Sequence, residues 1–395
     1  MSSRCAQTIA CPPPSSVIIA GGGTGGHLFP GIAIAEEIRA RAPECRLLFV
    51  SRGSDFERTT LERAGFALAT IRIEGLKGRG LWNQARTLLW LPWAVLQSAV
   101  LIGSARPEIV IGLGSYAAGP VVMAAWMRRV PVALCEQNTL PGITNRKLAR
   151  LADRIYTSFE RTEGGFDPHK VLWTGNPLRR EIVRAAQTPA ALAGRRERFS
   201  VLVLGGSQGA HAINTAVARA LPHLAPLERF EFVHQTGAAD EAATGAAYRA
   251  AGISARVQPF FEEMAARYLA SDLVVCRAGA TTVAEITALG KPALFIPFPH
   301  AADDHQRWNA QRLVDAGAAE MILEPELSGR RLAERIAFFA AHPQALESLA
   351  ARAAAFGRPD ATRRIVDDCF RLAATHAAGK PADRPTARPA DGPTG

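Results

Sequence analysis

Twice along this chain an apolar strand runs straight into a glycine-rich turn and then an amphipathic stretch. SVIIA (16–20) opens GGGTGGHLFPGIAIAEEI, and SVLVLG (200–205) continues into GSQGAHAINTAVARAL. A strand that hands over to a helix through glycine is the first half of a βαβ unit, whose next strand is parallel to it. Further apolar runs, RLLFV (46–50), IVIGL (109–113), PVALC (131–135), FEFVHQ (230–235), LVVC (273–276) and ALFIP (293–297), alternate with Ala-rich helical stretches. The alternation predicts an α/β protein with two doubly wound, Rossmann-like domains, each a parallel sheet with helices on both faces. At 395 residues, 48% of them hydrophobic, the chain is long enough for two domains of ordinary size.

The expected divisions are a disordered lead over 1–15, a first domain over 16–177, a second over 178–357 and a disordered tail over 378–395. The joint falls near TGNPLRR (174–180), and a last helix at about 358–376 crosses back to the first domain. The lead holds three prolines and no apolar stretch of signal-peptide kind, and the tail is Pro, Ala and Gly with scattered charge. In doubly wound sheets ligands sit beyond the carboxyl ends of the strands, so two facing domains place the site in the cleft between them.

Gly21, Gly23 and Gly26 fit GxGxxG, but a nicotinamide site also needs an acidic residue closing the second strand, and RLLFV runs into Ser51, Arg52 and Gly53. A dehydrogenase is excluded, while amides at a helix start still attract an anion. His27 stands where the turn becomes the helix: a neutral imidazole there takes a proton from a hydroxyl, or else caps or bonds a carbonyl as a structural residue. Ser207 in GGSQGA offers a hydroxyl at a second helix start, and in LVVCRAGATTVAEI (273–286) Thr281 and Thr282 do the same, with Glu285 one turn on. That carboxylate either accepts both hydroxyls of a ribose or compensates a helix dipole. His300, Asp303, Asp304 and His305 lack paired metal-ligand spacing, and DxD, Walker, GxSxG and HExxH patterns are all missing. Six cysteines form neither CxxC pairs nor His clusters, so no zinc site is indicated. The net charge of +10 favours anionic partners.

Taken together, GGGTGGHLFPGIAIA, GLGSYAAGP (112–120), EQN (136–138), GNPLR (175–179), GGSQGA, RAGATTVAE and HQRWNA resemble, in order and spacing from about 16 to 375, the MurG-type N-acetylglucosaminyltransferases of bacterial peptidoglycan synthesis. The resemblance implies a GT-B fold and inverting transfer of N-acetylglucosamine from UDP-GlcNAc to the C4 hydroxyl of the muramoyl sugar in undecaprenyl-pyrophosphoryl-MurNAc-pentapeptide (lipid I), giving lipid II. It implies no cofactor and no metal for nucleotide binding, no nucleic acid, other cell-wall proteins as partners, and a peripheral place on the cytoplasmic face of the inner membrane. Other GT-B enzymes, a lipid glycosyltransferase or a UDP-GlcNAc epimerase, share the donor motifs, and a non-catalytic UDP-sugar-binding recruitment subunit is the alternative of a different class.

Residue by residue, the resemblance makes His27 the leading general-base candidate. It sets Gly22, Gly23, Gly114, Ser115 and Tyr116 in the loops facing the acceptor's diphosphate, with Thr24, Gly25 and Gly26 also facing the donor. Asn138 and Gln306 contact GlcNAc, with His305 beside Gln306; Arg179 and Ser207 meet UDP; the Phe261 backbone reads uracil; and Ala280, Thr281, Thr282, Val283, Ala284 and Glu285 form the diphosphate and ribose segment. Two positions depart from the family's usual pattern: Cys135 stands where histidine is common, and Gly114-Ser115-Tyr116 stands for GGY. For the membrane, GLKGRGLWNQARTLLWLPW (75–93) mixes Lys77, Arg79 and Arg86 with Trp82, Trp90 and Trp93, and Arg146, Lys147, Arg150 and Arg154 follow EQN. Cations with interfacial tryptophans suit anionic lipid. The alternative is that these tryptophans are core, since Pro92 prevents their assignment to one helical face.

Overall fold

The computed structural model describes residues 11–73, 81–162, 165–188, 197–206 and 208–379, and over 81–89 only the course of the backbone. Ser207, Lys77, Arg79 and the side chains of Trp82 and Arg86 therefore lie outside the described residues, as do most of the lead and of the tail.

Two sheets, parallel throughout, account for thirteen strands. The first takes β1 (Ser16–Ala20), β2 (Arg46–Ser51), β3 (Ala67–Thr70), β4 (Ile109–Gly112), β5 (Val132–Glu136), β6 (Arg154–Thr157) and β7 (Val171–Trp173) in the order β3-β2-β1-β4-β5-β6-β7. The second takes β8 (Phe199–Leu204), β9 (Phe230–Gln235), β10 (Ser254–Gln258), β11 (Leu273–Cys276), β12 (Ala293–Phe295) and β13 (Glu320–Met321) in the order β10-β9-β8-β11-β12-β13. In each, the chain order reverses between the first strand and the fourth, and a crevice opens beyond the carboxyl ends at that switch point. Ala20 pairs with Gly112 there in one sheet, and Leu204 with Cys276 in the other.

β1 shows why the strands read as unbroken apolar runs. Val17 and Ile19 pack on one face with Ile34 and Ile38 of helix Gly25–Arg41, while Ile18 and Ala20 pack on the other with Val121 and Val122 of helix Ala118–Met127. A strand covered on both sides has no polar face to alternate with. Five strands escape that signature: ALAT, RIYT, VLW, SARVQ and EM are short, lie at or towards sheet edges and, RIYT apart, are half-buried or exposed.

Helix Ala361–Ala378 returns to the first sheet and packs Ile365, Cys369 and Phe370 into the cluster of helix Gly25–Arg41. Buried Asp368 fastens it, accepting from Arg154 Nε at 2.8 Å and from the Tyr156 hydroxyl at 3.1 Å. Arg154, its side chain 31% exposed, is thus paired with Asp368, whereas Arg146, Lys147 and Arg150 are exposed. At the joint, the Leu178 amide donates to Thr362 Oγ1 at 3.0 Å, so both chain crossings between the halves run side by side.

One correction concerns Pro92. Helix Leu81–Ala105 continues through it, with Ala94, Ser98 and Ile102 buried at four-residue spacing and Trp90, Trp93, Leu96 and Val100 exposed on another side. The described tryptophans do share one helical face. No helix among the described residues is long and apolar enough to cross a membrane.

Replacing Asp368 by alanine leaves the Arg154 guanidinium and the Tyr156 hydroxyl without their shared acceptor. We expect a loss of about 3 kcal/mol in denaturant unfolding. Arg371→Ala removes only an exposed partner of Asp368, 3.2 Å away, and costs less than about 1 kcal/mol in the same measurement.

Candidate active site

The carboxyl ends of both sheets face a cleft of about 1180 Å³. Each wall is built from glycine turns whose amides are shared between the protein itself and the open space.

In the first wall the triple glycine is explained by a carboxylate. Gly21 and Gly23 hold φ of +124° and +96°, and a side chain on Gly22 would collide with Glu57. Glu57 is fully buried; its Oε1 accepts from the Gly23 amide at 2.7 Å and its Oε2 from the Ser54 amide at 2.7 Å and hydroxyl at 2.9 Å. Burial pushes its pKa up, but the bonds from Ser54 and Gly23 outweigh that and hold it below the usual range. The Gly22 amide donates to Ser115 Oγ at 3.3 Å. Gly22 and Gly23 thus have internal acceptors, and the open amides are those of Thr24, Gly25 and Gly26, where helix Gly25–Arg41 starts with neither a side-chain cap nor an acidic first turn. The signal for Glu57 in the sequence is the capping box Ser54-x-x-Glu57.

His27 lines the cleft and is half-buried, its Nδ1 sealed from solvent. Burial lowers its pKa, the charge of His305 acts in the same direction, and the Leu113 carbonyl and Gln137 oppose them. The net effect is a neutral imidazole at pH 7. Next to it the EQN loop is built around Glu136, which accepts from the Asn138 amide (3.0 Å), the Gly142 amide (3.1 Å) and Asn145 Nδ2 (2.9 Å). Its near-complete burial still raises its pKa against those bonds.

Asn309, fully buried on helix His305–Asp315, joins the walls: its Nδ2 donates to Asn138 Oδ1 and to the Ala278 carbonyl, both at 3.2 Å, and its Oδ1 accepts from the Thr139 amide at 3.0 Å. Thr281 Oγ1 also reaches the Gly26 carbonyl at 3.4 Å, and Arg179 lies over the Phe29 ring. Nothing local in the sequence marks Asn309, whose partners lie 170 and 171 residues away.

In the second wall Glu285 is 3% exposed and already engaged, accepting from Arg179 Nε and Nη2 at 2.9 and 2.7 Å and from the Tyr268 hydroxyl at 3.0 Å. The Phe261 amide donates to Gln235 Oε1 at 2.9 Å, while Gln235 Nε2 holds the Gly206 carbonyl, so only the Phe261 carbonyl is left for a base edge. Gln306 Oε1 accepts from the Phe298 amide at 3.0 Å, which leaves its NH₂ group for the cleft. Helix Ala280–Ala288 starts at Gly279 without a side-chain cap, its first turn lining the cleft. The side chains of Val283 and Ala284 pack into the core beneath the cleft. Asn138, Arg179, Ala280, Thr281, Thr282, Glu285 and Gln306 are brought together with His27, Ser115 and Tyr116 around one space. No group of three or more His, Cys, Asp or Glu among the described residues is placed to hold a metal ion.

Two family models match the chain: the glycosyltransferase family 28 N-terminal domain over 17–157 and the family 28 C-terminal domain over 200–365. A Syntrophus aciditrophicus protein named UDP-N-acetylglucosamine--N-acetylmuramyl-(pentapeptide) pyrophosphoryl-undecaprenol N-acetylglucosamine transferase is 49% identical over 90% of this chain and 98% of its own length. A Myxococcus xanthus protein of the same name is 44% identical over 90% of this chain and 92% of its own. Among solved structures, Acinetobacter baumannii MurG superposes with a TM-score of 0.72 at 30% identity, covering 91% of this chain and 99% of that one. A Listeria monocytogenes structure described as a UDP-N-acetylglucosamine 2-epimerase shares the fold alone, at a TM-score of 0.63 and 14% identity over 94% of this chain and 99% of that one. This chain belongs to glycosyltransferase family 28, in its MurG group.

Proposed function

We infer that the chain transfers N-acetylglucosamine from UDP-GlcNAc to the C4 hydroxyl of MurNAc in lipid I, forming lipid II with inversion at the anomeric carbon. The observation that carries this is near-half identity over almost the full length of a relative bearing that transferase name. The cleft supplies chemistry to match: a neutral imidazole on one wall and two uncapped helix starts, one on each.

In this reading residues 16–177 with the returning helix at about 358–376 bind acceptor and membrane, and 178–357 bind UDP-GlcNAc. The acceptor's diphosphate meets the open amides of Thr24, Gly25 and Gly26, with Gly22, Gly23, Gly114, Ser115 and Tyr116 shaping that loop pair rather than donating from it. UDP leaves against the amides of Ala280, Thr281 and Thr282, where the helix dipole and unpaired N–H groups stabilise the developing charge without a metal. Arg179 holds Glu285 at the ribose, Asn138 and the Gln306 NH₂ orient the sugar, and the Phe261 carbonyl takes the uracil edge. His27 removes the hydroxyl proton as the acceptor oxygen attacks C1 from the face opposite UDP.

The exposed stripe Trp90, Trp93, Leu96 and Val100, with Trp126 and Met127 on the helix packed against it, supports docking on the anionic cytoplasmic face of the inner membrane. Arg146, Lys147 and Arg150 add charge to that half.

His27→Ala is expected to lower turnover of a lipid I analogue by about a hundredfold or more while calorimetry finds UDP-GlcNAc binding retained; lost donor binding instead moves His27 to the nucleotide side. A turnover of UDP-GlcNAc to an epimer without acceptor overturns the acceptor assignment. The pH profile follows from the lowered pKa: the base is active when neutral, above its pKa, so the acid limb of kcat is centred below the ordinary imidazole value of 6.5. An acid limb centred above 6.5 contradicts the assignment. Replacing Trp90 and Trp93 together by serine should weaken binding to anionic vesicles at least about tenfold while turnover of a water-soluble acceptor stays unchanged.

A further inference from the structure

Nδ1 of His27 and Oε1 of Gln137 are buried polar atoms at the cleft that lack a hydrogen-bond partner. The side chains that carry them are in contact, and the ring also faces the Leu113 carbonyl. Gln137 is 2% exposed and its amide is oriented from the other end, because Nε2 donates to that same Leu113 carbonyl at 3.0 Å. Turning the amide over would set its oxygen against the carbonyl oxygen. The ring cannot retreat either: Gly114, at φ +84°, has room for no more than a hydrogen before Cε1 of His27, which a Cβ would approach to 3.2 Å.

Nδ1 therefore looks onto two oxygens that can only accept. A lone pair on Nδ1 would face two acceptor oxygens in a sealed site; a proton on Nδ1 gives the Gln137 oxygen its partner and the Leu113 carbonyl a second donor. We propose that Gln137 is a positioning residue that, with the Leu113 carbonyl, holds His27 as the Nδ1–H tautomer and turns the lone pair of Nε2 to the cleft. This rests on His27 being the base. In the transfer, the proton of the acceptor hydroxyl passes to Nε2 and the hydroxyl oxygen bonds to C1 of GlcNAc. The C1–O bond to UDP breaks with its electron pair leaving on the diphosphate. The imidazolium so formed keeps its Nδ1–H on Gln137 and Leu113. Among the described residues, His305 is the titratable group whose charge reaches the ring, and it opposes that imidazolium; the two oxygens offset it.

The test is the ¹⁵N shifts of the imidazole nitrogens in full-length protein labelled at histidine, with the His27 signals assigned by their loss in His27→Gln. Wild type is expected to show Nδ1 protonated at neutral pH. Gln137→Met should mix the tautomers and lower kcat roughly tenfold or more with KM for UDP-GlcNAc unchanged. Gln137→Glu keeps an acceptor beside Nδ1 while giving up the donor to the Leu113 carbonyl; it retains the Nδ1–H tautomer and moves the acid limb of the kcat profile to higher pH, since a carboxylate favours the imidazolium. Retained UDP-GlcNAc binding reports that each variant is folded. A wild-type Nε2–H tautomer, or a tautomer unmoved by Gln137→Met, overturns the proposal. If the tautomer follows Gln137 while His27→Gln keeps its turnover, Gln137 retains this role and the assignment of His27 as base is what fails.

Discussion

The buried side-chain amide of Asn309 ties the two sheets together at the floor of the cleft. An amide taken out of water is costly unless its donors and acceptor are all used, and here one side chain serves Thr139 and Asn138 from the first half and Ala278 from the second. Asn138 is the proposed sugar contact of the first wall, and Ala278 directly precedes the Gly279 turn that opens helix Ala280–Ala288. In the proposed binding mode, sugar and departing phosphate are therefore held against each other through a single residue. Away from the cleft the halves are joined by the paired crossings at Leu178 and Thr362.

Three buried carboxylates shape the walls, each already engaged within the protein. Glu57 satisfies the first glycine turn, Glu136 gathers the EQN loop, and Glu285 locks Arg179 and Tyr268. Their opposed pKa directions follow from the balance of two effects. At Glu57 the N–H and O–H bonds outweigh burial and lower its pKa, while at Glu136 burial outweighs the bonds and raises it. Spending carboxylates on loop geometry leaves backbone amides and hydroxyls as the groups that face outward, which suits a nucleoside diphosphate on one wall and a lipid diphosphate on the other.

The sequence was most legible where burial is total. β1, β4, β8 and β11 flank the switch points, are covered on both faces, and consist of little besides Val, Ile, Leu, Ala, Ser, Gly, Cys and Phe, so composition alone finds them. The peripheral strands are half-buried or exposed along part or all of their length and pair over two to five residues, and their identity is decided by the neighbour they add to rather than by their own pattern. Pro92 misleads for a related reason. It removes one backbone bond, yet tight packing of the Ala94, Ser98 and Ile102 stripe beside helix Ala118–Met127 keeps the helix whole. Glycine turns announced the site, but what fills them did not. Glu57 lies 34 residues from Gly23 and Asn309 170 from Thr139, and such pairs exist only once the sheets are formed.

Dividing the chemistry between two walls also guards the donor. His27 can deprotonate water as readily as a sugar hydroxyl, so a base mounted beside the UDP-GlcNAc amides would hydrolyse the donor whenever it bound. In the proposed mechanism a base on the first wall meets the anomeric carbon from across the cleft, and the acceptor whose diphosphate occupies the Thr24–Gly26 amides fills the space that water would need. The charge of one substrate thus positions the hydroxyl that consumes the other, and the same glycine turn that permits the approach of phosphate sets His27 at the end of it.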